Sequence, residues 1–136
     1  MRTKLRRKRY VGAELSEQMA YFQWLALKYP EQAEMTCHIP NEGRRNPYTA
    51  KKSGIKAGMP DIFMMWPNEI FHGLFIEMKK KPTTGSAAGK VTKGQKKMID
   101  ALNHRLYFAT VCYGCEEAMF VTKAYLENPM NVYLMI

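Results

Sequence analysis

Apolar positions along this 136-residue chain recur with two spacings, one near 3.6 residues and one of 2, and the switches between them mark its elements. From residue 14 to 29, Leu15, Met19, Phe22, Ala26 and Tyr29 fall on one helical stripe, and Pro30 closes the segment. Tyr21, Trp24 and Leu27 make other faces apolar too, which predicts a helix covered on several sides. Residues 35–39 read as a short strand ended by Pro40-Asn41-Glu42-Gly43. Residues 62–66 and 74–79 read as two more strands, with Pro67-Asn68-Glu69 as a turn that lets the second lie beside the first. In the second, Leu74, Ile76 and Met78 face a core while Phe75, Glu77 and Lys79 face the other way. Thr92 is placed as the N-cap of a helix running to Arg105, whose stripe is Met98, Ala101, Leu102 and Arg105. A strand over 107–113 turns at Gly114 into a helix over 116–126 that buries Ala118, Val121 and Tyr125. The apolar tail, 130–136, predicts either an edge strand or a subunit contact. The order helix, strand, strand, strand, helix, strand, helix implies an α/β fold around a mixed central sheet, one domain over 13–136.

Charge changes this picture most. The net charge is +9, and 18 of the 21 Lys and Arg residues sit in three stretches without an acid: 1–10, 44–56 and 79–97. Such segregation favours a polyanion as partner over three merely solvated loops. Residues 1–12 are a basic arm without periodicity, expected to order on a phosphate backbone; a nuclear-localisation signal is the other reading of so common a pattern. The long loop after Gly43, with one helical turn over 49–53, and the Gly/Ser/Lys-rich loop 80–94 are expected to border the site, the second as a flexible flap. No apolar run approaches the ~20 residues of a membrane span, and no h-region follows the basic N-terminus. Cys37, Cys112 and Cys115 are an odd set, which argues for no disulfide and for a reducing, cytoplasmic setting. Cys112-x-x-Cys115 lacks the second pair of ligands that a structural zinc needs, and it lies far from the position of a thioredoxin-like redox motif.

The candidate chemistry lies between Gly58 and Lys80. Pro60-Asp61 opens one strand, and Glu77-Met78-Lys79 follows on the next. Paired strands would bring two carboxylates and one ammonium to one place, and two neighbouring acids repel unless a cation holds them. Lys79 provides one positive charge, and a hard divalent ion, Mg²⁺ or Mn²⁺, suits the oxygen donors. An isolated Glu-x-Lys would read as an ordinary ion pair on a wet strand. Here the upstream Pro-Asp, the two apolar strands and the basic surroundings favour a phosphate-directed site.

Several text blocks occur in order: HIPNEG at 38–43, KxGxxxGMPD at 52–61, HGLFIEMK at 72–79 and Gly94-Gln95. Together they resemble the virus-type replication–repair nuclease (VRR-NUC) domain of the PD-(D/E)xK nuclease superfamily, over about residues 16–126. The resemblance implies a restriction-endonuclease-like core and metal-dependent endonuclease activity on DNA. It implies Asp61, Glu77 and the Met78 backbone carbonyl as holders of one or two Mg²⁺ or Mn²⁺ ions, Lys79 at the attacking water, and Gln95 as the group orienting the scissile phosphate or water. It also implies an acid from the first helix; Glu17 matches best, with Glu14 one turn earlier as the competing choice, while from the residue alone Glu17 reads as a partner of the helix dipole. His38 and Asn41 become candidates near the phosphates. Arg44, Arg45, Lys51, Lys52, Lys56, Lys80, Lys81, Lys90 and Lys93 are expected to grip the backbone. Branched DNA, four-way (Holliday) junctions or flaps, is the implied substrate. A homodimer would supply the two active sites that symmetric junction cutting needs. Two rivals remain: a DNA-binding module without activity, and a subunit of a larger replication or repair complex docked through the C-terminal tail.

Overall fold

The computed structural model of the protein describes residues 12–40, 48 and 52–134. The basic arm apart from Gly12, together with Asn41, Arg44, Arg45, Lys51 and the last two tail residues, lies outside the described residues. The elements run α1 (Ala13–Lys28), α2 (Pro30–Glu34), β1 (Thr36–His38), β2 (Ile62–Met64), β3 (Leu74–Lys79), α3 (Lys93–His104), β4 (Phe108–Tyr113), α4 (Cys115–Glu127) and α5 (Pro129–Tyr133).

The sheet order is β1-β2-β3-β4. The first three strands pair antiparallel, and β4 lies parallel to β3, with Lys79 opposite Tyr113. This is the mixed sheet expected of the α/β reading. Its core face carries Ile62, Met64, Leu74, Ile76, Met78, Phe108 and Cys112, packed against Tyr21 and Leu25 of α1 and Ala118, Val121 and Tyr125 of α4. A buried hydrogen bond of 2.8 Å joins the Tyr21 hydroxyl to Thr122 Oγ1 and locks the two helices together.

The turn before β3 is built by Asn68, whose Oδ1 accepts from Ile70 N at 2.9 Å and Phe71 N at 2.7 Å. Its Nδ2 donates to Tyr125 O at 3.0 Å, so α4 fixes the turn as well. All six residues of β3 are buried, because its second face is covered too: Phe75 lies under Phe63, and α3 packs beyond it.

Four expectations differ from the structure. The buried stripe of α1 is Tyr21 and Leu25, whereas Leu15 and Met19 are about half exposed and Leu27 is 87% exposed. A helix apolar on every side does not reveal from its sequence which side the sheet will take. Pro30 does not simply stop the chain; it is the first residue of α2, where its missing N–H costs nothing. The tail is neither a strand nor wholly free: Pro129 starts α5, and Val132 is buried against the core. In α3, Gln95, Met98 and Leu102 are half-buried but Ala101 is exposed, as is Arg105 just past the helix end.

Residues 80–92 fold back on β3. Thr83 and Ser86 exchange backbone hydrogen bonds, and Gly89 N donates to Lys80 O at 2.9 Å, laying Gly89 on the Lys79 side chain.

Candidate active site

Asp61 stands one residue before β2, and its backbone is fixed first. Its carbonyl accepts from Ile39 N at 2.6 Å and lies 2.9 Å from His38 Nδ1, so β1 holds it. Its side chain then reaches across to β3, where Oδ2 accepts from Met78 N at 2.8 Å. That bond places the Asp61 carboxylate beside Glu77, whose side chain leaves β3 on the face away from the core.

Glu77 is only 2% exposed. Its Oε1 accepts from Gln95 Nε2 at 2.9 Å and lies 3.3 Å from Lys79 Nζ. Its Oε2 is buried without a hydrogen-bond partner. Burial, and next the negative charge of Asp61, push Glu77 up to about 7. Asp61 is also raised by burial, although the Met78 N–H bond opposes the shift. Burial raises both acids and the charge of Asp61 raises Glu77 further, while one Glu77 oxygen finds no donor, which leaves a deficit of positive charge that Lys79 alone does not fill.

Gln95 reaches Glu77 because α3 begins at this point. Thr92 and Gln95 form a reciprocal capping box, Gln95 N donating to Thr92 Oγ1 at 3.1 Å and Thr92 N to Gln95 Oε1 at 2.9 Å. The helix start is pressed against the loop before Asp61. Gly58 has φ +83°, and a Cβ there would sit 2.7 Å from Gly94 O. One amide thus caps α3 with its oxygen and holds the acid with its nitrogen.

These groups line a cleft of about 500 Å³, closed on its other sides by Glu14, Leu15 and Gln18 of α1 and by His38 and Pro40. The structure thus brings Asp61, Glu77, Lys79, Gln95 and His38 together. It does not bring Glu17 to the cleft. Glu17 Oε2 accepts from Cys115 N at 2.5 Å, at the start of α4, and Oε1 lies 3.7 Å from Lys81 Nζ. Because α1 begins at Ala13, the first-turn acid is Glu14, and Glu14 and Gln18, one turn apart, share the face turned to the cleft. Gln18 was missed from the sequence; its spacing of four from Glu14 was the available signal.

Lys52, Lys56, Lys81, Lys90 and Lys93 are exposed, and Lys80 is half-buried with its ammonium on Ser86 Oγ. Lys52 Nζ lies 4.4 Å from the centre of the Tyr48 ring, and Lys81 is the lysine paired with Glu17. Cys112 and Cys115 are free and buried, and burial holds both thiols high, Cys112 at about 12. Neither is placed as a metal ligand or as a reactive thiolate.

Residues 13–116 match the VRR-NUC domain family. The chain belongs to that family. Its members are nuclease domains, which supports a nuclease that binds DNA. Among solved structures, a VRR-NUC domain protein is 25% identical, with 87% of this chain and 91% of that chain covered and a TM-score of 0.73. No curated protein matches. Among the described residues, no helix is long and apolar enough to cross a membrane.

The donor set fits a divalent cation. The fit rests on the unpartnered Glu77 oxygen beside Asp61, two hard carboxylate ligands in a cleft open to solvent. Among the described residues no cluster of three His, Cys, Asp or Glu side chains converges, so the remaining ligands would be backbone oxygen and water. Such a sparse set is the kind that Mg²⁺, which keeps much of its water, accepts.

Proposed function

We propose that this protein is a metal-dependent endonuclease that hydrolyses DNA phosphodiester bonds, with branched DNA, four-way junctions and flaps, as its substrates. The observation that carries the reading is the buried, unpartnered Oε2 of Glu77 next to Asp61, in a cleft where an ammonium and an amide hold the other oxygen of the same carboxylate. Asp61, Glu77 and the Met78 carbonyl would hold Mg²⁺ or Mn²⁺, and Glu14, in the place first expected of Glu17, would act on the ion through bound water. When bound, such an ion offsets charge on the phosphoryl oxygens and acidifies a neighbouring water.

The protein's own groups do the rest. Lys79 presents an ammonium to the same phosphate and holds the attacking water. Gln95 fixes the Glu77 carboxylate and leaves the positive end of α3 facing the substrate, where a phosphate is favoured. Lys52, Lys56, Lys80, Lys90 and Lys93, with Arg44, Arg45 and Lys51, grip the backbone without reading bases, so shape selects the substrate over sequence. Junction cutting by so small a domain calls for a homodimer with two active sites.

The test is cleavage of a panel of junction, flap, nicked and linear duplexes with Mg²⁺ or Mn²⁺ varied. Asp61→Ala and Glu77→Ala should abolish cutting yet still retard DNA in a gel. Normal cutting by both variants would sink the site assignment, and wild-type protein that binds but never cuts would be a binding module.

A further inference from the structure

The face of the sheet that carries Glu77 and Lys79 also carries an unfinished aromatic stack. The strand register sets Ala109, Phe75, Phe63 and Cys37 in one row across β4, β3, β2 and β1. The Phe75 and Phe63 rings are stacked, with centroids 4.1 Å apart and planes 3° from parallel. Tyr107 packs edge-on against both, at 5.5 Å and 6.3 Å. Gly73 makes room for the pair, since a Cβ there would lie 2.9 Å from Phe63 Cε2.

The stack stops at β1, the edge strand. There the next position in the row is Cys37, a short side chain exposed to solvent, and Phe63 itself is only half-buried. Beside them Met35 is 40% exposed and Met65 42%. The solvated face of an antiparallel pair ordinarily carries polar side chains. Here the alternating positions 35, 37, 63 and 65 are Met, Cys, Phe and Met, and the polar residue next in line is Asp61.

We propose that Phe63 is a stacking platform for an unpaired base of the DNA substrate, the base lying over Cys37 and extending the ring stack. The proposal rests on the nuclease reading above and narrows its substrate to DNA with an unpaired nucleotide beside the cleaved bond. Neighbouring strands stand about 4.8 Å apart, so a planar group over Cys37 continues the row at close to ring-stacking separation. Asp61 lies two residues before Phe63, and Glu77 two residues after Phe75. Each offset is about 7 Å along a strand, so platform and cleft are neighbours on one face. An uncharged ledge offers a phosphate nothing, but every base has a face that stacks on it. Bases inside a duplex are stacked on one another and do not reach it. A second copy of the chain would cover the ledge equally in the presence of either DNA, which the test separates.

The experiment uses the full chain in metal-free buffer, so that nothing is cut. Two probes carry 2-aminopurine: a flapped duplex with the label at the first unpaired position, and the same sequence fully paired. Wild type should quench the flap label, and the flap, not the duplex, should protect Cys37 from maleimide. Phe63→Leu should weaken flap binding by roughly five- to a hundredfold, the worth of one stacked base, with duplex binding unchanged. Phe63→Tyr should restore it, and Cys37→Trp, which fills the slot with its own ring, should mimic the loss. Equal weakening for both probes, or no protection of Cys37 by the flap in wild type, overturns the platform alone. Protein that binds neither probe overturns the nuclease reading with it.

Discussion

Glu17 and Cys115 stand 98 residues apart and are joined by a hydrogen bond of 2.5 Å from Cys115 N to Glu17 Oε2. The bond sets a carboxylate of α1 on the positive end of α4, with Lys81 alongside. Glu17 therefore anchors the helix whose first two turns place Glu14 and Gln18 in the cleft. Glu17→Ala should cost about 1–3 kcal/mol of stability, since it strips a charged acceptor from a helix start. Glu17→Gln keeps an acceptor, should cost less, and should leave the metal concentration for half-maximal cleavage unchanged. Glu14→Gln should raise that concentration while leaving stability alone. Metal titrations and melting curves on the three variants decide it; a Glu17→Gln protein that needs far more metal returns the ligand role to Glu17.

The acid pair makes metal-free protein sensitive to pH in a stated direction. Glu77 titrates near 7 in the folded chain against 4.5 for the free side chain, so the folded state holds the extra proton between those values. Stability is then fully present below about 4.5 and falls as pH rises through 7. A bound divalent ion competes with that proton, so its affinity should increase over the same window. Thermal melts without metal should show a falling Tm from pH 5.5 to 8, and saturating Mg²⁺ should remove the fall. Glu77→Gln, with no charge to bury, should be flat across this range and more stable than wild type at pH 8. If that variant melts with the same slope, the pH dependence belongs to another group.

How much of this was legible beforehand follows from which forces are local. Leu74, Ile76 and Met78 alternate with Phe75, Glu77 and Lys79, and a strand's two faces need nothing more, so β3 was readable. The Pro67-Asn68-Glu69 turn made its pairing with β2 readable too; the parallel pairing with β4 was not. The Thr92–Gln95 capping box is a four-residue signal, and it too was readable at its start. Resemblance singled out Gln95 as a group orienting the phosphate or water, but its bond to Glu77 was not legible, because 18 residues and a folded-back loop separate them. On α1 the local signal was absent. Its apolar residues surround the axis, so the choice between the Leu15–Met19 side and the Tyr21–Leu25 side was made by α4 and the sheet. That rotation also sets Glu14, the competing choice, in the cleft and Glu17 against the start of α4. The strand reading of the tail failed for a related reason: so short an apolar stretch has no period long enough to separate strand from helix, and Pro129 decided it.

Gln95 performs two tasks that substitution can separate. Gln95→Glu retains a carboxylate oxygen for Thr92 N and so keeps the cap, but it sets a third negative charge on Glu77 and removes the Nε2 donor. Gln95→Ala loses both and should cost about 0.5–2 kcal/mol in helix stability besides. The Glu variant should melt close to wild type in the presence of metal yet cut DNA at least about a hundredfold more slowly, on the scale of losing one preorganised donor. Cleavage by Gln95→Glu within a few-fold of wild type would reduce Gln95 to a helix cap.

Gly58 tests whether the cleft depends on how closely α3 is docked. Its φ of +83° already disfavours any other residue, and its backbone touches Gly94, with room for no Cβ against a carbonyl oxygen 2.7 Å away. Backbone cannot swing aside as a long side chain would, so Gly58→Ala must either push the start of α3 outward or shift the loop that leads into Asp61. The first draws Gln95 away from Glu77, and the second draws Asp61 away from it. The expected result is a stability loss of at least about 1–3 kcal/mol, the cost of one strained backbone site, accompanied by a larger fall in cleavage than the melt explains. Gly54→Ala is the matched control: it has φ +86° and nothing within 4 Å of its Cβ position, so it carries the conformational strain without the collision. If the two alanines lose stability and activity equally, docking against Gly94 contributes nothing to the site; if Gly58→Ala alone loses cleavage, the contact between these two glycines is what holds the catalytic groups in register.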